Sequence, residues 1–505
     1  MKQAIGIALG VLFFTAELSA TAGTFYISSS TGSDTNTAAQ AQSNSSPWAH
    51  LPCMANASGN AVSYVPTPGD IFILKGGDTW TNASFPCAWK WSGTKTSPIT
   101  IRTDQTWYKG SSWSRPIWDG GGIQISGPKK TFFHVNFLPV QYVTLSSIEM
   151  KGFYWAAKPS YGTCAIILGA GGQNLILDNL YIHGWSHDSY ASGGADECPA
   201  ILGDTNSPYM SGSVLQNSVI DGSDSTGGGD SGGTYAWPSF VNNVMRNVPN
   251  FILPLGNATI SGNLLYNCTD SFDPYNHGNF IETLGGPSGG FTVYIGNNVI
   301  HDGSKRCESA FLGNPGETDY VWNNVWYNLN ENGPELTQNV SPGVAVYFWN
   351  NTIVPPAGQY CLRDGHSGSY SVIEFINNHC ITTASQVLSP TLSAATLTVN
   401  NNVLQSPASS STAGYSSSQP VAYSPSSVPV GTGIALSTKC AGPLATLCSD
   451  TSYGQQFNSA VYAVTGPGRV SISRTTDGTW GVGAYKILSG GVVMPPPAPT
   501  NLAVK

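Results

Sequence analysis

The segments Gly296-Asn297-Asn298-Val299, Trp322-Asn323-Asn324-Val325 and Trp349-Asn350-Asn351-Thr352 repeat one pattern: a short apolar strand, an Asn-Asn pair and a second apolar strand. Further copies or close variants are centred on Asn179, Asn217, Asn243, Asn263, Asn378 and Asn402, and Ser147 fills the slot in an earlier one. The anchoring asparagines lie 20 to 38 residues apart. A strand-only repeat of this length predicts a β-solenoid, whereas propeller blades would need about 40 to 50 residues.

Asparagine suits this position for two reasons. It tolerates the left-handed backbone conformation of a tight turn. Stacked at intervals of ~4.8 Å, its side-chain amides can also hydrogen-bond as a ladder. We therefore expect the asparagines from Asn179 to Asn402 to form one line along the solenoid axis. The unequal steps predict loops of different size on one side, where function usually lies.

Motifs outside the repeat carry a family resemblance. They are Thr24-Phe25-Tyr26-Ile27 through Gly32-Ser33-Asp34 to Pro47-Trp48, residues 68–77, the pair 97–102 and 115–120, and Gly478-Thr479-Trp480-Gly481 through Tyr485. Together they resemble the pectate-lyase-like superfamily of secreted proteins over nearly the whole mature chain. The resemblance implies an all-β, right-handed parallel β-helix with an N-terminal cap and a C-terminal cap segment. It implies little about activity, because the superfamily holds lyases, hydrolases, epimerases and adhesins.

The N-terminus has the features of a secretory signal peptide. Lys2 precedes an apolar run from Ala4 to Ala16, and Ala20-Thr21-Ala22 offers a cleavage site before Gly23. The run is short for a membrane anchor, and no second span follows. We expect a secreted or cell-surface protein without membrane insertion.

Cysteine usage agrees with export. All ten cysteines follow the predicted signal, and an even count in an exported chain indicates disulfides. We expect sequence neighbours to pair, because consecutive coils of a solenoid touch. No Cys-x-x-Cys pair exists, which disfavours zinc or thioredoxin-like chemistry.

The predicted organisation has six parts. They are a signal peptide (1–22), an N-terminal cap with the first coils (23–140), parallel coils (141–405), a Ser/Pro-rich loop (406–436), a C-terminal cap (437–490) and a Pro-rich tail (491–505). Only 10% of residues are charged, the net charge is −8, and no basic stretch exists. Nucleic acid is therefore an unfavoured partner, and a polyanionic substrate is mildly disfavoured unless bound cations reverse the local field. We expect a monomer.

Charge collects in one window. Between residues 270 and 308, seven of 39 residues are charged. Glu282, Glu308 and, further on, Glu335 each lie 16 residues before an anchoring asparagine. Regular coils would stack the three glutamates in one column, each ~4.8 Å from the next. Such a column costs electrostatic energy in a chain this poor in charge, so it indicates a functional site. Solvated glutamates on an exposed sheet face are the plainer alternative.

Two chemistries fit this cluster. Carboxyl groups about 5 Å apart suit a retaining glycosidase, in which repulsion raises one pKa and supplies the acid. Alternatively, carboxylates could bind Ca²⁺, and the calcium with a basic residue could drive the uronate elimination used by several members of the resembling superfamily. The candidate catalytic residues are Glu282, Glu308, Glu335, His277, Lys305 and Arg306, and the candidate metal ligands are Asp270, Asp273 and Asp302.

Aromatic and polar residues near this window are candidates for sugar contacts. Trp155, Trp185 and Tyr275 are predicted loop aromatics that could pack on the C–H face of a sugar. Arg363 and His366 follow in the next coil. The sequence thus predicts a polysaccharide-active protein that cleaves a glycan by elimination or hydrolysis in a groove along the β-helix. No family catalytic motif matches residue by residue, so a non-catalytic adhesive protein is the alternative.

Overall fold

A computed structural model gives the architecture. It describes residues 21–125, 131–135, 138–155, 164–187, 198–204, 210–224, 231–269, 278–336, 343–365, 369–418, 422–423, 431–449, 456–458, 463–465, 474 and 480–485. Three long parallel sheets wind around one apolar interior. The predicted all-β, right-handed parallel β-helix is confirmed, and with it the fold implied by the resemblance to pectate-lyase-like proteins.

The three long sheets are named A, B and C here. Sheet A contains Thr24–Ile27, Ile71–Gly76, Ile99–Tyr108, Val143–Ser146, Ile176–Asp178, Val214–Gln216, Ser239–Val241, Ala258–Ser261, Phe291–Gly296, Glu317–Trp322, Ala345–Trp349, Ser369–Ile376 and Ser393–Asn400. Sheet B contains Thr79–Thr81, Ile117–Ile125, Glu149–Trp155, Tyr181–His183, Ser186–His187, Val219–Asp221, Val244–Arg246, Leu264–Cys268, Val299–Gly303, Val325–Tyr327, Thr352–Ile353, His379–Ile381 and Val403–Gln405. Sheet C contains Cys87–Ala88, Phe133–His134, Ile167–Leu168, Cys198–Leu202, Ser231–Tyr235, Asn250–Leu253, Gly278–Ile281 and Cys307–Glu308.

Smaller elements complete the described chain. A fourth parallel sheet, D, contains Phe311–Leu312, Glu335–Leu336 and Arg363–Asp364. Two antiparallel pairs join Thr432–Gly433 with Trp480–Gly481 and Gln456–Asn458 with Ala463–Thr465. The helices are Ala38–Ala41, Gly59–Ser63, Pro407–Thr412 and Ala445–Ser449, with 3₁₀ turns at Asn82–Ser84, Ser437–Lys439 and Gly442–Leu444.

One coil shows how the pattern becomes structure. The chain runs from sheet C to sheet A, makes the asparagine turn, continues in sheet B and returns to sheet C. Along Phe291–Gly296, Phe291, Val293 and Ile295 are buried, whereas the alternate residues Thr292 and Tyr294 are half-buried on the outer face. Side chains alternate across a strand, so every second residue fills the interior and its neighbours form the outer surface.

The asparagine turn divides its two tasks between two residues. The first asparagine of each pair has a left-handed backbone, with φ of +58° at Asn297 and +53° at Asn323. The second asparagine points inward and forms the ladder. Asn298 Nδ2 donates to Asn324 Oδ1 at 2.9 Å, and Asn324 Nδ2 donates to Asn351 Oδ1 at 3.0 Å. The fully buried amides thus replace the hydrogen bonds that solvent would supply.

This division corrects the prediction of one line from Asn179 to Asn402. The inner ladder is continuous from Asn243 to Asn402. Asn179 and Asn217 instead occupy the outer, left-handed position, with φ of +50° and +51°. Their following residues, Leu180 and Ser218, take the inner slot, so the ladder starts one residue out of phase with the sequence alignment.

Five disulfides link sequence neighbours, as expected. They are Cys53–Cys87, Cys164–Cys198, Cys268–Cys307, Cys361–Cys380 and Cys440–Cys448. In the described ranges, every helix is too short or too polar to cross a bilayer. The C-terminal segment packs back onto the coils, with Trp480 beside Trp322 and Trp349 of sheet A. The predicted signal peptide up to residue 20 and the Pro-rich tail lie outside the described residues, and the predicted boundaries stay predictions.

Candidate functional site

The three predicted glutamates lie on the outer face formed by sheets C and D. Glu282 directly follows the strand Gly278–Ile281, Glu308 ends the strand Cys307–Glu308, and Glu335 begins the strand Glu335–Leu336. Glu282 and Glu308 are half-buried, and Glu335 is 7% exposed. The structure therefore brings the three carboxyl groups to one face.

Their arrangement differs from the predicted single column. Glu282 pairs with Phe311, and Phe311 pairs with Glu335, so Glu282 and Glu335 share a column two coils apart. Glu308 pairs with Asn279, which places it three residues earlier along the strand direction. The prediction that Glu308 stands between the other two in one column is wrong.

The reason is the length of one turn. Glu282 and Glu335 both lie 16 residues before an inner-ladder asparagine (298 − 282 and 351 − 335), but Phe311 lies only 13 residues before Asn324. The turn after Phe311–Leu312 reaches the next strand of sheet A at Glu317, whereas the turn after Glu282 runs to Phe291. Equal spacing to the ladder thus held for the outer two coils and failed for the middle one.

Glu282 has an apolar column beside it. Phe311 is its partner on one side, and the register of the preceding pair places Leu253 on the other. Its Oε2 accepts a hydrogen bond from Asn279 Nδ2 at 2.8 Å. Burial raises the pKa of Glu282 to about 7, because the charged form loses its hydration.

Glu308 has the strongest acid character of the three. Burial raises its pKa to about 8, with repulsion from Glu335, Glu331 and Glu282 adding to the effect and a hydrogen bond from Asn332 opposing it. Its Oε2 is buried and has no hydrogen-bond partner in the part of the chain that the structure describes. The group is therefore a protonated carboxyl at neutral pH and can donate a proton.

Glu335 is held as a carboxylate. Arg363 Nε lies 3.2 Å from its Oε2, and Asn332 Nδ2 donates to the same oxygen at 2.9 Å. Arg363 pairs with Glu335 in the register of sheet D, so the predicted role of Arg363 beside the cluster agrees with its position. A positive charge and a donated hydrogen bond both favour the ionised form.

Two asparagines belong to the cluster and were not predicted. Asn279 and Asn332 each stand three residues before a glutamate, in the segments Asn279-x-x-Glu282 and Asn332-x-x-Glu335. Each donates to that glutamate, and Asn332 also bonds Glu308. The repeated Asn-x-x-Glu spacing was the sequence signal that would have found them.

The predicted basic residues and metal ligands are placed less centrally. Lys305 is exposed in the turn before Glu308, and Arg306 is half-buried there. Asp302 lies at the edge of sheet B, where it contacts His301 Nδ1 at 2.7 Å and accepts from Asn328 Nδ2 at 3.0 Å. The hydrogen bond with His301 lowers the pKa of Asp302. Its bonds are thus made within sheet B, and a calcium role for it stays a prediction.

The predicted tryptophan platforms are wrong. Trp155 is 3% exposed and packs on Phe153 in the interior, and Trp185 is fully buried with its Nε1 donating to the Cys198 carbonyl at 2.7 Å. Both lie on or next to strands of sheet B rather than on exposed loops, because the apolar interior needs large side chains at these inward positions. His277, Tyr275, Asp270, Asp273 and His366 lie outside the described residues and stay predictions.

Comparisons with known proteins follow the fold. Neither the family models nor the curated proteins match this chain. Among solved structures, a GH136 lacto-N-biosidase from Eubacterium ramulus aligns with a TM-score of 0.42 and 14% identity over 76% of this chain and 68% of that one. The pectate lyase Pel9A aligns with a TM-score of 0.37 and 15% identity over 92% and 96%.

A third solved structure has a different role. The Streptococcus pneumoniae surface protein and adhesin PfbA aligns with a TM-score of 0.34 and 12% identity over 68% of this chain and 88% of that one. Two enzymes and an adhesin thus stand side by side, so chemistry must be argued from the side chains of this chain alone.

Proposed function

We propose that this chain is an extracytoplasmic glycan hydrolase whose general acid is Glu308 and whose ionised partner is Glu335. The observation that carries the proposal is the contrast between these two carboxyl groups on one face. Burial and charge repulsion raise the pKa of Glu308 to about 8, and Arg363 holds Glu335 ionised. Pairs of carboxyl groups in opposite protonation states are the working parts of most glycosidases.

Each group has one task in the proposed reaction. Protonated Glu308 donates its proton to the glycosidic oxygen as the bond to the anomeric carbon breaks. The carboxylate of Glu335 acts on the anomeric carbon, either directly or through a water molecule, and stabilises the positive charge that develops there. Asn332 contacts both groups and keeps them in register.

Glu282 is proposed to support the acid. Its negative charge contributes to the raised pKa of Glu308, and its position beside Phe311 places a hydrogen-bonding group and an aromatic ring next to each other. That combination suits recognition of a sugar, which offers hydroxyl groups on its edge and C–H groups on its face.

The five disulfides and the lack of a membrane-spanning helix in the described ranges fit a protein that works outside the cytoplasm. Secretion through the predicted signal peptide is part of this proposal. N-terminal sequencing of the exported protein tests it, with Gly23 as the expected first residue.

The test of activity is a panel of neutral and acidic glycans incubated with the enzyme in H₂¹⁸O. Hydrolysis adds one ¹⁸O per cleavage, whereas elimination gives an unsaturated product that absorbs ultraviolet light and carries no ¹⁸O. We expect ¹⁸O incorporation with at least one glycan. Glu308→Gln and Glu335→Gln are each expected to lower kcat at least 100-fold, because the amide keeps the shape and removes the ionisable group.

Glu331→Gln is the matched control, because Glu331 is an exposed glutamate that also repels Glu308. We expect it to change kcat less than threefold. Calcium is tested in the same assay. Hydrolysis by two carboxyl groups proceeds after treatment with EDTA, whereas loss of the activity in EDTA supports the calcium-dependent alternative. Unsaturated products, or no cleavage of any glycan, would contradict the proposal, and the latter would favour an adhesive role.

A further inference from the structure

A second feature lies on the outer face of sheet A, away from the carboxyl groups. One outward column of this sheet contains, coil by coil, Ser239, Thr259, Tyr294, Tyr320 and Tyr347. The side chains are small in the first two coils and large and aromatic in the next three. The column therefore has an abrupt step between Thr259 and Tyr294.

The three tyrosines form a stack along the helix axis. The Tyr294 and Tyr320 rings are 5.5 Å apart at 9°, and the Tyr320 and Tyr347 rings are 4.8 Å apart at 10°. The edge of Trp322 also contacts Tyr294 at 6.4 Å and 77°. Tyr294 is thus supported on one face by Tyr320, and its other face is directed along the axis towards the small residue Thr259.

The step coincides with a pocket of about 300 Å³. Ten residues line it, including Tyr294, Thr259, Ser239, Thr292 and Asn257, and none of the ten is charged. Its volume is at the lower end of the range for small-molecule sites. The pocket thus combines one flat, supported aromatic ring with hydroxyl and amide groups.

We infer that this pocket is a binding subsite for a neutral saccharide, with the free face of Tyr294 as its platform. A pyranose ring that stacks on Tyr294 would continue the aromatic column in the place left by the small side chains of Thr259 and Ser239. Its C–H face would contact the ring, and its hydroxyl groups would meet the polar groups of the lining. The absence of charge in the lining selects neutral sugars over uronates and sulfated sugars.

This subsite does not depend on the proposed hydrolysis. The pocket belongs to sheet A, whereas Glu308 and Glu335 belong to sheets C and D. A glycan-binding protein without catalytic activity could use it equally well. Binding and cleavage can therefore be measured separately, and either can fail alone.

The test is calorimetric titration of the full-length mature protein with neutral oligosaccharides: cello-, xylo-, manno-, galacto- and chito-oligosaccharides. We expect at least one to bind. Tyr294→Ala is expected to weaken that binding at least tenfold, and Thr259→Phe should do the same by filling the pocket without removing any contact of the tyrosine stack. Tyr347→Ala is the matched control, because it removes the same ring from the far end of the stack, and a change of less than twofold is expected.

Glu308→Gln separates this site from the carboxyl cluster and should leave the affinity of the subsite unchanged. The inference is overturned if no neutral oligosaccharide binds, if only charged glycans bind, or if Tyr294→Ala and Tyr347→Ala weaken binding equally. It is also overturned if Thr259→Phe, with an unchanged melting temperature, binds as tightly as the natural sequence.

Discussion

At the scale of single residues, the carboxyl cluster shows how backbone register and burial assign different properties to the same side chain. Glu282 has an apolar partner, Glu308 faces three other glutamates, and Glu335 faces an arginine. All three glutamates are close together, yet only Glu335 has a cation within contact distance in the described chain. The local field therefore sets Glu308 apart as the acid.

The raised pKa of Glu308 predicts a pH-dependent stability. Below pH ~4, the carboxyl is protonated in both the folded and the unfolded chain and contributes no difference. As the pH rises, the unfolded chain ionises first, whereas the folded protein keeps the proton up to a pKa of about 8. The free energy of unfolding contributed by Glu308 therefore falls between these two values.

Glu308→Gln removes this titration. We expect the variant to melt at a higher temperature than the natural sequence at pH 8 and at nearly the same temperature at pH 4. Thermal melts across this range check it, with Glu331→Gln as a control that should show no such trend, because Glu331 is exposed. Parallel curves for the natural sequence and Glu308→Gln would contradict the raised pKa.

At the scale of the elements, the asparagine turn is the part of the fold that the sequence predicts best. A solenoid with stacked asparagines follows from the repeat, because few residues other than Asn satisfy both a left-handed backbone and a buried amide ladder. The slip at Asn179 and Asn217 was not predictable from spacing, since the copies with one asparagine do not say which of the two positions it occupies. The turn that misplaced Glu308 likewise has no periodic signature.

The ladder and the left-handed position can be separated by mutation. Asn298→Ala removes an amide that bonds Asn263, Asn324 and the Ile260 carbonyl, leaving buried groups without partners. We expect a loss of roughly 3 kcal/mol or more in the free energy of unfolding. Asn297→Gly, one residue earlier, keeps a backbone that glycine adopts easily at φ +58° and should cost about 1 kcal/mol or less. Denaturant unfolding of both variants checks this, and equal losses would contradict the division of tasks.

A buried acid pair in the strand Glu317–Trp322 is a second element-scale feature. Glu317 and Asp319 are fully buried at inward positions where adjacent coils place Phe291 and Val293. Thr283 Oγ1 and the Asn314 backbone N–H donate to Glu317 at 3.0 and 2.5 Å. Burial raises the pKa of both groups, and repulsion by Glu317 adds to the rise for Asp319. The pair therefore keeps at least one proton, which Asp319 shares with Glu317.

Replacing Asp319 with asparagine supplies the shared hydrogen bond permanently. Because the pKa of Asp319 is raised in the folded state, its ionisation destabilises the fold as the pH rises, and asparagine does not ionise. We expect Asp319→Asn to raise the melting temperature at pH 9 relative to the natural sequence and to have a much smaller effect at pH 4. A lower melting temperature for Asp319→Asn throughout this pH range would contradict the shared proton.

At the scale of the whole molecule, the β-helix converts distant segments into two separate surfaces. Sheets C and D bring Glu308, Glu335 and Arg363 together, and sheet A carries the tyrosine stack. The disulfide Cys268–Cys307 ties the coil before the cluster to the strand that ends in Glu308. The sequence predicted the fold, the disulfide pairs and the three glutamates. It did not predict the burial of Trp155 and Trp185, because aromatic residues look alike in sequence whether they face inward or outward.

The pH dependence of kcat/KM on a glycan found in the panel tests the central claim most directly. The proposed mechanism predicts a bell-shaped profile. The rate should fall above pH ~8 as Glu308 loses its proton, and it should fall in acid as Glu335 is protonated. The small residual activity of Glu308→Gln should lack the alkaline fall. A rate that keeps rising from pH 8 to 10, or a Glu308→Gln variant that retains both the alkaline fall and full activity, would contradict the assignment of Glu308 as the acid.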